Sequence, residues 1–408
     1  MKIAFVSLIA YDFLFKYDLL HKKKDIFFNQ NNPDYFDAEF LANYSDPVHK
    51  WCSMLQMNGI DIEFWYLASL STKVKVFKHK YGHRLRRIPA FNLRNYFSRY
   101  FDCDISFELL KELKRQNITH ILALSHLGSE LLPIDMFDIL VIFCRRNNIK
   151  ICTIYGGGSI NNYMWAKRKI KSMFLKKTDS LFCQNKSELN IMINEYNFPR
   201  AKVYYFNNPL DLDNFYPIPK DACAKFLNFD TENKYLLYVG RFSLPKGIHH
   251  LINIFPKLIA KEPKLRLLIV GRGIYDDVLK KLIHESGYEN AIKMFDYVDN
   301  DKLKYYYNLA EAVILPSYLE GTPNVLMEAI ACNAVCIATN VGGIPDLLSD
   351  GVGIMVAPKD EESLHDAIVN ILQKKFEINQ KKRKELLEEI DLKKKGAELK
   401  KILFTLDK

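Results

Sequence analysis

Two glutamates, Glu320 and Glu328, bracket a helix start in the segment Ala312-Val-Ile-Leu-Pro-Ser317, Tyr318-Leu-Glu320-Gly-Thr-Pro-Asn324-Val-Leu-Met-Glu328. Pro316 and Gly321 break the apolar run 312–315. Thr322 can cap a helix whose first residue is Pro323, where a missing N–H costs nothing. The N–H groups of Asn324, Val325 and Leu326 then point out of the helix start, an arrangement that suits a diphosphate. The carboxylates repel phosphate but can take paired hydrogen bonds from hydroxyls on either side. A diphosphate with polyols at both ends is a nucleotide sugar. The competing structural reading is one Glu that complements the helix dipole and another that faces water.

Two cations accompany this pattern. Gly240-Arg-Phe-Ser-Leu-Pro-Lys-Gly247 joins a strand to a helix and holds Arg241 and Lys246. They can neutralise a diphosphate and stabilise it as a leaving group, or be ordinary surface charge. Gly240 permits close backbone approach. Val270-Gly271-Arg-Gly273 lacks the third glycine and the distal acid of a dinucleotide fingerprint, so it does not indicate NAD. Gly342-Gly343 opens a helix at Pro345; its N–H groups can face a sugar or phosphate, or simply form a turn. The triplets Asp102-Cys-Asp104 and Asp211-Leu-Asp213 read as a cap and a turn rather than as metal ligands. No metal and no cofactor is expected.

The elements that must position these groups alternate. In the first half, strands are expected at 2–8, 60–67, 120–124, 150–154, 180–183 and 203–206. Helices are expected at 45–58, 105–115, 133–147, 163–177 and 187–195. Residues 9–44 read as an insertion. Asn207-Asn-Pro-Leu-Asp-Leu-Asp213 and Tyr216-Pro-Ile-Pro219 break the pattern and place a boundary there. Strands follow at 235–239, 265–270, 292–295, 313–315, 335–338 and 354–356, with a helix from Ile248 that Pro256 must kink or end. Such alternation implies α/β architecture: two Rossmann-like domains with parallel sheets facing across a cleft, and ligands at the carboxyl ends of the strands. The expected domains are 1–207 and 208–375. A helical tail, 376–408, is expected to pack back on the body.

The chain has 408 residues, is 49% hydrophobic and carries a net charge of +10, which excludes a disordered polymer. No apolar run is long enough to span a bilayer, and the N-terminus reads as a strand rather than a signal peptide. Eight scattered cysteines without a CxxC pair fit buried thiols in a reducing cytoplasm. From Lys73 to Arg99 there are nine Lys or Arg and no acid, interleaved with aromatics. That stretch suits an anionic membrane surface, or a solvated face; nucleic acid is disfavoured.

Taken together, Asn208-Pro-Leu-Asp211 with Phe215 and Pro217, Val239-Gly-Arg241, Lys246-Gly247, Val270-Gly271, Pro316-Ser317, the Glu320/Glu328 pair and Gly342-Gly-Ile-Pro345 resemble the retaining GT-B glycosyltransferases of family 4, the "glycosyl transferases group 1" domain. The likeness is dense from Asn208 to Pro358. It implies that Arg241 and Lys246 hold the donor diphosphate, Glu320 the donor sugar and Glu328 the ribose, with phosphate on the backbone of Asn324 and Val325 and no metal. The first half resembles the family only in outline. Where a cleft His is usual, Thr153-Ile-Tyr155-Gly156 stands, so Tyr155 can substitute as a donor, or His126 can take the role. The resemblance implies a hexosyltransferase in glycan or glycolipid biosynthesis, and the scattered thiols and basic aromatic stretch point to the cytoplasm, peripheral on the membrane face. It would move a sugar from a UDP- or GDP-type donor to a lipid-linked or glycan acceptor. A nucleotide-sugar epimerase and a non-catalytic donor-binding subunit remain as alternatives.

Overall fold

The computed structural model describes residues 1–10, 47–68, 73–79, 82–92, 104–125, 135–155, 165–296 and 298–407. These form two compact units: Met1–Pro209 with Lys393–Lys408, and Leu210–Leu392.

In the first unit the strands are β1 (Lys2–Ala10), β2 (Asp61–Ala68), β3 (Lys75–Lys78), β4 (Arg84–Pro89), β5 (Phe91–Asn92), β6 (Asp104–Ile105), β7 (His120–Ser125), β8 (Lys150–Tyr155), β9 (Ser180–Cys183) and β10 (Val203–Tyr205). Eight of them form one sheet in the order β10-β9-β8-β7-β1-β2-β4-β3. It is parallel except where β3 turns back on β4. β1, β2 and β7 to β9 are apolar runs, because helices on both faces hide them from water.

The second unit is more regular. Strands β11 (Lys234–Val239), β12 (Leu265–Val270), β13 (Ile292–Phe295), β14 (Ala312–Leu315), β15 (Cys336–Thr339) and β16 (Ile354–Val356) make a wholly parallel sheet ordered β13-β12-β11-β14-β15-β16. The chain builds outward from β11 on one side, then crosses back to β14 and builds outward on the other. The strand order thus reverses between β11 and β14, the switch point at whose carboxyl ends open α/β sheets carry their ligands.

Helix ends in this chain are set largely by asparagine. Asn117, Asn148, Asn197, Asn228 and Asn333 all take left-handed backbone just past helices. Asparagine tolerates that conformation better than other side chains, so it replaces glycine as the stop signal. The helix Ile248–Lys261 contains Pro256 without ending there. Its buried face of Leu251, Ile252, Phe255 and Leu258 outweighs one lost hydrogen bond.

Two expectations need correction. The stretch from 376 is not one tail. The helix Gln380–Ile390 belongs to the second unit, where Arg383 reaches Asn333 Oδ1 at 2.7 Å and the Ala334 carbonyl at 2.8 Å. The helix Leu392–Thr405 completes the first unit and buries Leu399 and Leu403 fully. Nor is the basic stretch a continuous charged face. Arg86 and Arg87 are buried, and Arg86 bridges Glu63 (2.8 Å) and Glu112 (2.9 Å), both themselves buried. Arg84 is exposed but paired with Glu63 at 2.8 Å. Lys80, Arg94 and Arg99 lie outside the described residues. Lys73 and Lys78 remain exposed. No helix among the described residues is long and apolar enough to cross a membrane. The seven described cysteines are buried and unbridged, and burial pushes their thiols up.

Candidate active site

The loops that leave β11, β12, β14 and β15 are fused by backbone contacts that a side chain would block. Lys246 closes a short 3-10 turn, Leu244–Lys246, and Gly247 follows with φ 64°. A Cβ on Gly247 would sit 2.0 Å from the Pro316 carbonyl oxygen, and the Tyr318 N–H donates to the Pro245 carbonyl at 2.8 Å. That joins the β11 loop to the β14 loop. Gly342, with φ 56°, would place a Cβ 1.8 Å from the Glu320 carbonyl oxygen, and the Gly343 N–H donates to the Gly321 carbonyl at 2.7 Å. That joins the β15 loop. On the other side a Cβ on Gly271 would meet the Gly240 carbonyl oxygen at 1.9 Å.

The fused loops bring Lys246 to Glu320. Lys246 Nζ lies 2.7 Å from Glu320 Oε1, and the Ser317 hydroxyl donates to the same oxygen at 2.6 Å. The Glu320 side chain is 7% exposed and that of Lys246 is 28% exposed, so the ammonium stays open to an anion while the carboxylate is nearly enclosed. Arg241 is exposed, and its guanidinium makes no ion pair among the described residues. The Tyr238 hydroxyl donates to the Arg241 carbonyl at 3.0 Å and fixes the start of the loop. Glu328 is buried and accepts from the Tyr307 hydroxyl at 2.9 Å. Burial, and then the Glu328 carboxylate, push Tyr307 well above the usual tyrosine range, so the hydroxyl remains a donor. Tyr307→Phe is expected to remove the hydrogen bond that this hydroxyl gives Glu328. The cost should be about 1–2 kcal/mol of stability in a urea titration.

The helix begins one residue later than its capping pattern suggests. Pro323 is extended (φ −75°, ψ 112°), the helix is Asn324–Ala331, and no side chain caps it. Leu326 is buried and its N–H donates to the Pro323 carbonyl at 3.2 Å, which takes it out of the anion-binding set. Asn324 and Val325, both half-buried, keep their places in the first turn. The Gly343 amide is likewise spent on Gly321. The helix Ile344–Leu348 is only five residues long. Gly342 and Gly343 thus hold the Glu320 loop in place. Tyr155 ends β8 in the first unit, 3% exposed within the apolar core. His126 lies outside the described residues.

Sequence reasoning missed the supports. The Tyr318 hydroxyl lies 2.9 Å from His249 Nε2 and 2.5 Å from His250 Nε2, and His250 Nδ1 lies 2.7 Å from Glu361. A His pair one step past Lys246-Gly247 was the available signal. A separate cavity of about 310 Å³, lined in part by Lys220, Asn308, Glu311 and Lys374, opens at the amino ends of β14 and β15, on the sheet edge opposite these loops.

Residues 220–390 match the glycosyl transferases group 1 family. Among curated proteins, an uncharacterized glycosyltransferase of Methanocaldococcus jannaschii is 30% identical over 182 residues, covering 43% of this chain and 46% of that protein. A D-inositol 3-phosphate glycosyltransferase of Mycolicibacterium smegmatis is 29% identical over 204 residues, covering 48% and 46%. The chain spans about half the length of the curated relatives it matches. Among solved structures, a sucrose-phosphate synthase of Thermosynechococcus elongatus superposes with a TM-score of 0.70 at 17% identity over 100% of this chain and 99% of that one. Anabaena HepE in complex with UDP and glucose gives 0.69 at 13% over 99% of each. At such identities the likeness establishes the fold, which is GT-B.

Proposed function

We propose that the protein is a retaining glycosyltransferase that moves a hexose from a UDP- or GDP-linked donor to a glycan or lipid-linked acceptor. The observation that carries this reading is the Lys246–Glu320–Ser317 cluster at the carboxyl ends of β11 and β14, beside the helix start at Asn324. The donor diphosphate sits against Lys246, Arg241 and the first-turn amides of Asn324 and Val325. The donor sugar hydroxyls lie on Glu320 and the ribose on Glu328. As the glycosidic C–O bond breaks, the sugar gains oxocarbenium character and negative charge gathers on the β-phosphate, where the cations and amides stabilise it. The acceptor hydroxyl attacks the face the nucleotide leaves and passes its proton to the departing phosphate oxygen. Lys246 and Arg241 supply the positive charge that a metal supplies elsewhere. Exposed Lys73 and Lys78 meet an anionic membrane surface on the cytoplasmic side.

The test is to incubate the protein with UDP-glucose or GDP-mannose, with and without candidate acceptors, and to analyse the products. A saturating donor should raise the melting temperature by mass action. A glycosylated acceptor with the donor's anomeric configuration supports the proposal. An epimerised donor formed without acceptor would replace it. Adding Mg2+ or Mn2+ to the desalted protein should leave the transfer rate unchanged; a rate that depends on either ion would count against the charge assignment.

A further inference from the structure

Three histidines are buried together in the first unit. His49 belongs to the helix Pro47–Met57, and His79 and His83 flank the turn between β3 and β4. They are 0%, 2% and 1% exposed. The turn is tight: the His79 N–H donates to the His83 carbonyl at 2.9 Å and the Gly82 N–H to the His79 carbonyl at 2.8 Å. The rings of His49 and His79 stack with centroids 4.1 Å apart, and those of His79 and His83 at 4.5 Å. His49 Nδ1 lies 3.0 Å from His83 Nε2. One ring nitrogen from each of the three falls within 4.8 Å of the others, and His83 Nδ1 is buried with no hydrogen-bond partner.

Apolar side chains would fill this space at less cost than three imidazoles, each with two polar nitrogens. We propose that His49, His79 and His83 form a binding site for a divalent transition metal of the zinc class, which fastens the β3–β4 hairpin to the first helix. Imidazole ligands suit zinc, copper and nickel, whereas magnesium and calcium take oxygen. Zinc–nitrogen bonds of about 2.0–2.1 Å in tetrahedral geometry put ligand nitrogens roughly 3.3 Å apart. The rings, stacked as they are, must turn out of parallel for their lone pairs to converge on one ion. A neutral imidazole offers a ring-nitrogen lone pair to such an ion. Three protein ligands leave the fourth position to water. The site lies in the first unit and the donor loops in the second, so neither reading stands or falls with the other.

The experiment is zinc titration of the metal-stripped full chain by chelator competition, with the melting temperature followed in parallel. One zinc per chain and a raised melting temperature are expected. Changes around metal ligands alone cost about 10–100-fold in affinity, so loss of a ligand in His79→Gln or His83→Gln should cost more than about 100-fold. A His249→Gln/His250→Gln variant should keep full affinity. Wild-type protein that binds no stoichiometric zinc, or variants that bind as tightly as wild type, would overturn the site. If the triad variants do not fold, zinc-edge X-ray absorption of the wild type decides. Three imidazole nitrogens at about 2.0 Å support the site. A sulfur ligand or fewer than three imidazoles refutes it.

Discussion

Lys246→Ala should lower kcat/KM for sugar transfer by about 100- to 1,000-fold, the usual loss when one charged or hydrogen-bonding partner of a leaving group is removed. Lys246 is suited to this role because the loop, rather than a flexible surface, presents it. Its ammonium follows a 3-10 turn pinned by Gly247 against Pro316 and rests on Glu320 until an anion arrives. On the proposed function, incoming phosphate would compete for the ammonium and free the Glu320 carboxylate for sugar hydroxyls. The cost to folding should be small, about 1 kcal/mol. The pair is partly open to solvent, and Ser317 still donates to Glu320. Wild type and variant should therefore melt alike without ligand, and only wild type should gain stability from the donor. Near-normal turnover in a folded Lys246→Ala protein would remove the cluster from the chemistry.

Gly342→Ala should cost about 3 kcal/mol or more, and should raise KM in whatever protein survives. Two effects add. A left-handed backbone with a Cβ costs about 1–2 kcal/mol, and that Cβ lies 1.8 Å from the backbone oxygen of Glu320. A carbonyl in a fused loop cannot swing aside as a long side chain can, so the Glu320 loop must move. Gly287→Ala separates the two effects. Gly287 has φ 72° and nothing within 4 Å of its would-be Cβ, so only the strain remains. Chemical denaturation of both variants gives the comparison. Equal losses would show that the close approach to Glu320 carries no energy.

The second unit was legible because its strands are mostly apolar and its loops carry Gly, Pro and charge at their junctions. Strands at 265–270, 292–295 and 354–356 matched residue for residue. Glu320, Glu328 and Lys246 could be singled out because each sits a few residues from a strand end or a helix start. What could not be read depends on residues distant in sequence. β4 hid inside a basic stretch because Arg86 is neutralised by Glu63 and Glu112. The three histidines were invisible as a group because His49 is far in sequence from the other two, although His79-x-x-x-His83 is itself a metal spacing. The Leu326 amide failed for a local reason: Pro323 stays extended, so its carbonyl captures the N–H three residues on.

The helix Leu392–Thr405 has a consequence for how the protein is made. Gly396 lies against Met54 and the side chain of Asn58, close enough that a Cβ would collide with both. The surface formed by the first 209 residues is therefore unfinished when it leaves the ribosome. At about 5–20 residues per second, the roughly 200 residues that follow take on the order of ten to forty seconds to appear. During that interval the second unit, encoded without interruption, can reach its native state first. The nascent first unit must wait, its apolar seat for Leu399 and Leu403 open to chaperones, until residues 393–405 have been made.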